Sequence, residues 1–345
     1  MNINYDIDVV VLWVDGSDPE WLKERAKYSG TPLELSDVRF RDWGLMRYWF
    51  RSMEKFAPWV RKIHFVTWGH LPDWLDTTNP KLHIVKHTDF IPAEYLPTFN
   101  SNPIELNLHR IEGLAERFIY FNDDMFVIRP VEPTLFFRDG LPCDCFGLDA
   151  ICFDGDSIGG INGADMTILN DNFKLRAVLK KHWKKCFSPK NGLKKLIKTC
   201  ALGLFYPWFP GMFYGHLSTP FLKSSYEKVW AAAGETLDAT CRCRFRQPTN
   251  VNCWAMKFWQ MAEGNFVPMP SKYGKCFHLD DEMVPTACQV IRNQKKALVC
   301  VNDTPRLDDW KGAEEAIRQS FESILPEKSS FELPALQDDL VSKEG

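Results

Sequence analysis

Two carboxylates and an amide stand together where an apolar run of the chain ends. Arg117–Phe121 predicts a buried strand, and Asn122, Asp123 and Asp124 follow it directly. Adjacent carboxylates repel each other, and a bound divalent cation relieves that repulsion. Mg²⁺ and Mn²⁺ prefer oxygen ligands and bring phosphate oxygens into their coordination shell. The trio could therefore hold a metal against a phosphate, although Asn-Asp-Asp is also a common turn sequence.

A second polar group follows the first apolar run of the chain. Residues 7–14 are rich in β-branched side chains, and Asp15, Gly16, Ser17 and Asp18 come next. Glycine lets a backbone approach a ligand closely, and the two carboxylates could meet a ribose or a metal. We therefore predict that these four residues bind a ligand through such contacts. The same four residues could equally form a simple β-turn.

Strands that alternate with helices must position these groups. Strands are predicted at residues 7–14, 62–67, 82–85 and 117–121, and helices at 42–56 and 100–116, the latter with Ser101 and Asn102 as caps. This alternation predicts an α/β protein with a Rossmann-like, mostly parallel sheet and helices on both faces. Ligands bind beyond the carboxyl ends of such strands, so both polar groups are expected at one rim.

Composition excludes several classes of protein. The chain has 345 residues, 45% of them hydrophobic, which is enough for a large buried core. A net charge of −3 gives no reason to expect a nucleic-acid partner. The 11 cysteines are scattered, which favours a reducing compartment. No signal-peptide pattern begins the sequence, and no apolar run reaches the roughly 20 residues that span a bilayer. We expect a cytoplasmic protein.

One segment departs from the average composition. No acidic residue occurs between Asp171 and Glu227, whereas nine lysines lie between Lys174 and Lys198. Apolar residues recur there at helical spacing, among them Leu193, Leu196, Ile197, Ala201 and Leu204. Such a helix is typical of a peripheral contact with the inner face of the cell membrane, and it is equally typical of a solvated helix face.

We divide the chain on these grounds. Residues 1–171 are predicted to form the Rossmann-like half, and residues 172–215 a basic, aromatic helical insertion that could contact a membrane or another partner. Residues 216–325 are expected to complete the same domain. The polar stretch 326–345 is predicted to be a weakly ordered tail.

Longer blocks of sequence resemble the Stealth family, which includes bacterial capsular polysaccharide phosphotransferases. Residues 7–19 resemble its first signature block, and the stretches within residues 39–124 that end in Phe121-Asn122-Asp123-Asp124 resemble its second. The third block is placed at residues 215–264 and the short fourth at residues 300–303. Blocks of this length discriminate far better between families than a three-residue motif does.

The resemblance implies a fold, a reaction and a set of residues. The fold is Rossmann-like, of the GT-A-like kind, and the reaction moves hexose- or N-acetylhexosamine-1-phosphate from a nucleotide-diphosphate sugar to a glycan hydroxyl. A UDP-sugar is the expected donor, a glycan or lipid-linked glycan the acceptor, and Mg²⁺ or Mn²⁺ the cofactor. By position in the blocks, the resemblance places the catalytic roles on Asp124, His216 and Arg246. The family's His-x-Pro motif is lengthened here, because three residues separate His216 from Pro220.

Residue chemistry fits these roles and leaves alternatives open. Asp123, Asp124, Asn302 and Asp303 are the predicted metal ligands. His216 could be the base for the acceptor hydroxyl, and Arg246 could hold phosphate oxygens. Structural roles are the alternatives: Arg246 could pair with Asp238, Asp303 could end a strand, and a lone histidine is usually structural. We expect further donor contacts from three residues on or near the helix before the acidic strand, namely Asn102, His109 and Arg110.

Two other functions compete with phosphotransfer. A metal-dependent glycosyltransferase would use the same donor and release a nucleoside diphosphate instead of a monophosphate. A non-catalytic carbohydrate-binding protein is suggested by the 13 tryptophans, because aromatic faces stack on sugars.

Overall fold

The computed structural model describes residues 4–30, 40–153 and 157–334. Arg39, at the start of the second block, and residues 335–345 lie outside the described residues. The strands are β1 Ile7–Leu12, β2 Ile63–Thr67, β3 Leu82–Lys86, β4 Arg117–Phe121, β5 Met125–Val127, β6 Phe137–Arg138, β7 Leu141–Asp144, β8 Thr219–Leu222, β9 Val267–Pro268, β10 Gly274–His278 and β11 Leu298–Asn302. The helices are α1 Pro19–Ser29, α2 Met46–Phe56, α3 His87–Phe90, α4 Ser101–Asn107, α5 Ser157–Asn172, α6 Leu175–Lys181, α7 Trp183–Cys186, α8 Leu193–Phe205, α9 Lys223–Cys241, α10 Trp254–Glu263, α11 Val284–Arg292 and α12 Trp310–Ile324.

A five-stranded sheet forms the centre of the molecule, in the order β3-β2-β1-β4-β8. The first four strands are parallel, and β8 runs antiparallel to β4 at one edge. These four parallel strands are those predicted from the sequence. The prediction of an α/β, Rossmann-like and mostly parallel sheet is confirmed.

Helices cover both faces of this sheet, as predicted. Val9 and Val11 of β1 pack in one core with Trp49 of α2. Val10 points to the opposite face and packs with Leu106 of α4. Because successive side chains of a strand point to opposite faces, a continuously apolar β1 requires cover on both sides.

The helix predicted at residues 100–116 is shorter in the structure. Asn100 caps α4 by accepting a hydrogen bond from the backbone N–H of Asn102, so the cap lies one residue before the predicted pair. After Asn107 the chain forms a 3₁₀ turn, Leu108–Arg110. Gly113 has φ of 72°, a conformation that glycine adopts at low cost, and the chain turns there towards β4.

A smaller sheet brings the late part of the chain to the rim of the central sheet. Strand β11 pairs antiparallel with β5 and parallel with β10. The backbone N–H of Val301 donates to the backbone carbonyl of Asp124 at 2.9 Å. Residues 300–303 therefore lie beside the acidic end of β4, nearly two hundred positions away in sequence.

Residues 172–215 contain the predicted helices, and they surround a third core. Leu179 of α6 and Phe209 pack there against Leu148 and against Phe258 of α10. The described residues include no helix that is long and apolar enough to cross a membrane. Residues before and after this segment share the third core with it. The division of residues 172–215 as a separate insertion therefore stays a prediction.

The predicted weakly ordered tail is wrong for residues 326–334. Phe331 is buried against Phe50, with ring centroids 5.0 Å apart. Glu332 is also buried and pairs with Arg51 of α2 at 2.7 Å. An apolar anchor and a buried ion pair hold this stretch, whereas a polar composition alone suggested that it would not pack.

Candidate active site

A cleft of about 400 Å³ opens where the parallel strands end. Its walls come from the loops after β1 and β4, from residues 40–46, from the start of α4 and from the segments near His216, Phe245 and Val301. Several predicted site residues line it: Asn122, Asp123, Asp124, His216, Arg246, Asn302 and Asp303. Four separate parts of the chain thus meet at the rim where ligands of such sheets bind.

Asp123 and Asp124 place crowded negative charge in the cleft. Asp123 is exposed in the lining of the cleft, yet desolvation by the surrounding protein, together with the charges of Asp124 and Asp42, raises its pKa to about 7. Oδ1 of Asp124 is buried and has no hydrogen-bond partner among the described residues. A buried carboxylate oxygen without a partner is costly, so this one calls for a cation or a ligand.

His216 and Cys300 both contact the other oxygen of Asp124. The Nε2 atom of His216 lies 3.7 Å from Oδ2 of Asp124, and the Cys300 thiol donates to the same oxygen at 3.1 Å. Burial lowers the pKa of His216, but the nearby carboxylate of Asp124 outweighs it, so the pKa lies above its ordinary value. One ligand atom each from Asp124, His216 and Cys300 lie within 4.8 Å of one another.

Arg246 also lines the cleft, and its charge is available to a ligand. Its Nη2 donates to the Ser101 hydroxyl at 2.9 Å at the start of α4. The alternative pairing with Asp238 does not occur, because Asp238 binds Arg242 at 2.8 Å instead. Within the described ranges Arg246 contacts no carboxylate.

Asp303 reaches the cleft but already has partners. Arg41 Nη1 lies 3.1 Å from its Oδ2, and the indole N–H of Trp43 donates to the same oxygen at 3.1 Å. Asn302 contacts the ring of His278, with 3.1 Å between Nδ2 and Nδ1. The two late predicted ligands therefore lie beside the acidic pair, each held by a neighbour.

The group Asp15 to Asp18 does not line the cleft, so the predicted ligand contacts are not supported by its position and stay a prediction. Oδ1 of Asp15 accepts hydrogen bonds from the backbone and hydroxyl of Ser17 at 2.8 and 2.6 Å, which is an Asx turn. Asp18 caps α1 by accepting from the backbone N–H of Trp21 at 2.7 Å. Gly16 allows a close approach, but the neighbour is the backbone of Phe40. These residues shape the loop that carries Trp13 and Val14 into the cleft.

The expected donor contacts of Asn102, His109 and Arg110 are likewise not supported. His109 is buried against Trp230 of α9, and burial together with the charge of Arg110 lowers its pKa to about 4. Arg110 lies over the same indole, 5.2 Å from the ring centroid. Asn102 is buried within α4, and its neighbours Asn100 and Ser101 line the cleft instead. The packing of α4 and of the 3₁₀ turn after it leaves these three side chains outside the lining of the cleft.

Comparison with known proteins identifies the chain. The sequence family Stealth protein CR1, conserved region 1, matches residues 5–31. The sequence family Stealth protein CR2, conserved region 2, matches residues 39–143. A receptor polysaccharide phosphotransferase, WefC, of Streptococcus oralis is 40% identical over 336 residues, covering 95% of this chain and 99% of the relative. The chain belongs to the Stealth family.

Other similarities agree with this membership. A capsular polysaccharide phosphotransferase, WcwK, of Streptococcus pneumoniae is 39% identical over 336 residues and covers 95% and 99% of the two chains. The crystal structure of a galactosyltransferase, LgtC, in complex with donor and acceptor sugar analogues covers 94% of this chain and 98% of its own, with 10% identity and a TM-score of 0.38. A likeness at that score adds nothing to the fold that the sheet itself shows. The third and fourth blocks in this Stealth protein stay a prediction.

The acidic pair of this Stealth protein fits a hard divalent cation in part. Asp123 and Asp124 supply carboxylate oxygens, one of them without a partner, and the raised pKa of Asp123 reflects desolvation together with neighbouring negative charge that a cation would offset. Asp303 fits less well, because Arg41 already neutralises it. Asp124, His216 and Cys300 also form an O, N, S set, which suits a softer ion such as Zn²⁺.

Sequence reasoning did not select several residues of the Stealth cleft. Arg41 and Asp42 stand in the matched second region, yet nothing in their spacing tied them to Asp303 or Asp123. Cys300 stands two residues before the predicted ligand Asn302 and could have been found as a polarisable side chain on a strand that ends at the rim. Aromatic and cationic side chains form the remaining wall, among them Trp13, Trp21, Arg25, Phe40 and Phe245.

Proposed function

We propose that this Stealth protein transfers hexose- or N-acetylhexosamine-1-phosphate from a nucleotide-diphosphate sugar to a hydroxyl of a glycan or lipid-linked glycan. The product is a phosphodiester of a capsular or exopolysaccharide, and a nucleoside monophosphate is released. The names of its relatives as polysaccharide phosphotransferases support this proposal. The observation that carries it is one cleft in which an acidic pair, a histidine and an arginine meet.

The reaction requires a base close to an anionic site. The acceptor oxygen forms a bond to the β-phosphorus, and the bond from that phosphorus to the bridging oxygen breaks. The electron pair leaves with the nucleoside monophosphate, and the acceptor proton passes to His216. Asp124 stabilises the imidazolium that results, in keeping with its upward effect on the pKa of that ring.

Arg246 meets the charge of the donor in this scheme. Its guanidinium is planar and presents several donors, so it suits the oxygens of a phosphoryl group. Nη2 of Arg246 donates to the Ser101 hydroxyl at 2.9 Å, and this hydrogen bond fixes one end of the guanidinium. We place the phosphates between Arg246 and the acidic pair, with the base of the nucleotide on the aromatic wall.

Asp123 and Asp124 hold the divalent cation in this proposal, and Asn302 and Asp303 complete the acidic side of the cleft. Mg²⁺ or Mn²⁺, when bound, supplies positive charge to the diphosphate oxygens. The residues of the chain then orient the acceptor hydroxyl, exclude water and hold its proton. The partner-free oxygen of Asp124 is the first contact that we assign to the cation.

The test supplies the purified protein and Mg²⁺ with a panel of nucleotide sugars, UDP-sugars first, and with acceptor glycans. ³¹P spectra should show a new phosphodiester signal together with free nucleoside monophosphate. Release of a nucleoside diphosphate would instead establish glycosyl transfer. Sugar binding that persists without any donor consumption would favour a carbohydrate-binding protein.

A variant links that reaction to the cleft. Asp124→Asn should remove product formation, because it weakens both the cation site and the contact with His216. Asp308→Asn, on the exposed loop before α12, is the control and should keep the activity. Equal activity of the two variants would place the chemistry elsewhere.

A further inference from the structure

We infer that the apolar face of α8, together with the aromatic residues that follow it, docks on a membrane surface of anionic lipid. We call this surface the α8 face and define it by Leu193, Ile197, Leu204, Phe205 and Trp208. The proposal concerns where the protein sits and is independent of the reaction that it catalyses.

The first observation is the direction in which the helix points its apolar side chains. Leu193, Ile197 and Leu204 occupy one stripe of α8 and are 60–73% exposed, and Phe205 is 75% exposed. The side of the helix that packs on the protein carries the buried Thr199, with Leu202 and Gly203 packed against the third core, and leaves the stripe outside. An amphipathic helix in a globular protein normally turns its apolar stripe inwards, so this one is oriented towards a partner outside the chain.

The exposed apolar side chains are concentrated in this part of the molecule. Eleven large hydrophobic side chains are exposed among the described residues, and seven of them lie between Trp183 and Trp208. Single exposed apolar residues need no explanation, but a contiguous group does.

The charge around the α8 face is positive. Lys194 and Lys198 are exposed on the same helix, and Lys180, Lys181 and Lys184 are exposed on the two preceding helices. The full sequence has no acidic residue from 172 to 226. A stripe of leucine and phenylalanine bordered by lysine, with aromatic residues at its end, matches the chemistry of an anionic lipid interface.

Self-association suits this surface less well than lipid does. A symmetric dimer through the α8 face would set the lysines of one copy against those of the other, because such an interface joins the same patch on both subunits. Only Lys198 among the exposed lysines just named has an ion-pair partner in the described residues, Asp149 at 2.6 Å. The positive charge is therefore left for an anionic surface.

The position of the α8 face would serve an acceptor held in a membrane. Seven residues separate Trp208 from His216, and a chain of that length spans at most about 28 Å. The cleft thus lies within reach of a lipid-linked glycan when the α8 face is on the bilayer.

The test is cosedimentation of the full chain with vesicles. We expect binding to vesicles of phosphatidylcholine and phosphatidylglycerol at low salt, and much weaker binding to phosphatidylcholine alone. The variant Leu193→Ser/Leu204→Ser/Phe205→Ser should bind at least about tenfold more weakly. The variant Lys194→Gln/Lys198→Gln should also lose about tenfold.

Matched controls are available on other faces. Leu71→Ser removes an exposed apolar side chain elsewhere, and Lys23→Gln/Lys311→Gln removes two exposed lysines elsewhere. Both controls should bind as the unmodified protein does. All variants should keep their thermal unfolding midpoints, because the replaced side chains project into solvent.

Three results would overturn the proposal. The first is failure of the unmodified protein to sediment with the anionic vesicles. The second is unchanged binding by the triple apolar variant, which would mean a purely electrostatic attachment. The third is a concentration-dependent dimer that the triple variant abolishes while vesicle binding is absent, which would make the α8 face an interface between copies.

Discussion

Asp124 is the residue on which the other site residues converge. Oδ2 contacts both His216 and Cys300, and Oδ1 has no partner in the described part of the chain. The two oxygens of one carboxylate thus have separate surroundings. One oxygen can stabilise the charge of the imidazole, and the other is left for a cation.

The role of His216 can be tested against a neighbouring histidine. His216→Gln keeps a polar side chain but cannot take up the acceptor proton, so kcat should fall by about 10²–10⁴-fold. The rate of nucleoside monophosphate release measures this loss. His278→Gln, which alters a ring bound to Asn302 on the same rim, should change the rate much less. Equal losses in the two variants would remove the base assignment from His216.

Residue type alone could not distinguish carboxylates that line the cleft from carboxylates that stabilise a loop. The distinction could be predicted only where the adjacent sequence determined the position of the side chain. Asp123 and Asp124 could be selected because a buried strand predicts where its carboxyl end lies. Asp15 and Asp18 have the same residue type and the same position after a strand, yet their carboxylates bond to their own loop. The sequence allowed both outcomes, since an Asx turn and a ligand site use the same residue types.

At the scale of elements, the loop after β1 depends on a close approach that only glycine permits. A Cβ atom on Gly16 would lie 2.1 Å from the backbone oxygen of Phe40. That contact sets the loop against residues 40–46, which form a wall of the cleft. The glycine therefore supports the site through backbone packing and not through a ligand.

Replacement of that glycine should disturb the cleft. Gly16→Ala forces the loop away from Phe40 and should destabilise the protein by about 1–3 kcal/mol. Urea unfolding measures the change, and the KM for the donor should rise with it. Gly234→Ala is the control, because a Cβ there would meet nothing within 4 Å. Unchanged stability of Gly16→Ala would show that the loop adapts freely.

Helix α2 and the end of the chain are joined by a buried ion pair. Arg51 donates to Glu332 through Nε at 2.7 Å and Nη2 at 2.9 Å, and the Glu332 side chain is 2% exposed. Burial disfavours the charge of Glu332, but Arg51 and the backbone of Ser329 outweigh it and lower the pKa of that carboxyl. The pair was not predictable, because its partners are 281 positions apart.

Loss of this pair should be costly and dependent on pH. Glu332→Gln leaves the Arg51 charge buried and should reduce the free energy of unfolding by about 3 kcal/mol at pH 7. Since the folded pKa is lowered, the carboxylate contributes its stability above the unfolded pKa, and that contribution is lost as pH falls through the folded value. The difference between the two proteins should therefore shrink in acid.

Glu322→Gln is the matched control for the ion pair. Glu322 also contacts Arg51, at 3.3 Å, but its side chain is 47% exposed. Its replacement should cost less than about 1 kcal/mol. Denaturant unfolding at pH 7 and at acid pH measures the free energy of unfolding of both variants. Equal losses in Glu322→Gln and Glu332→Gln would contradict the role assigned to the buried ion pair.

At the scale of the whole molecule, the sheet was predictable and the closure of the cleft was not. Four apolar runs of strand length fixed the parallel core, because alternation with helices permits few other arrangements. The return of β11 to the rim has no local signal, since β5 and β11 are far apart in sequence. The surroundings of His109 and Arg110 had no local signal for a related reason: the 3₁₀ turn that carries them packs against Trp230 of α9, far along the chain.

A ligand in the cleft contacts several of these distant parts at once. Its binding should therefore raise the free energy of unfolding by a measurable amount. In the proposed function UDP with Mg²⁺ binds the native cleft and not the unfolded chain, so a concentration of 100 Kd should add about 2.7 kcal/mol to the free energy of unfolding. Arg246→Gln removes a charged hydrogen-bond donor to the phosphates and should weaken that binding by about 2 kcal/mol. Thermal unfolding at increasing ligand concentration measures both effects.

Arg242→Gln provides the control for this last experiment, because it alters an arginine only four positions away. Arg242 is exposed and pairs with Asp238, outside the cleft. That variant should keep the full ligand-dependent rise in melting temperature. If Arg246→Gln also kept it, the phosphates would lie away from α4, and the anionic half of the site would have to be sought nearer Arg41 and Arg25, the other two arginines of the cleft wall.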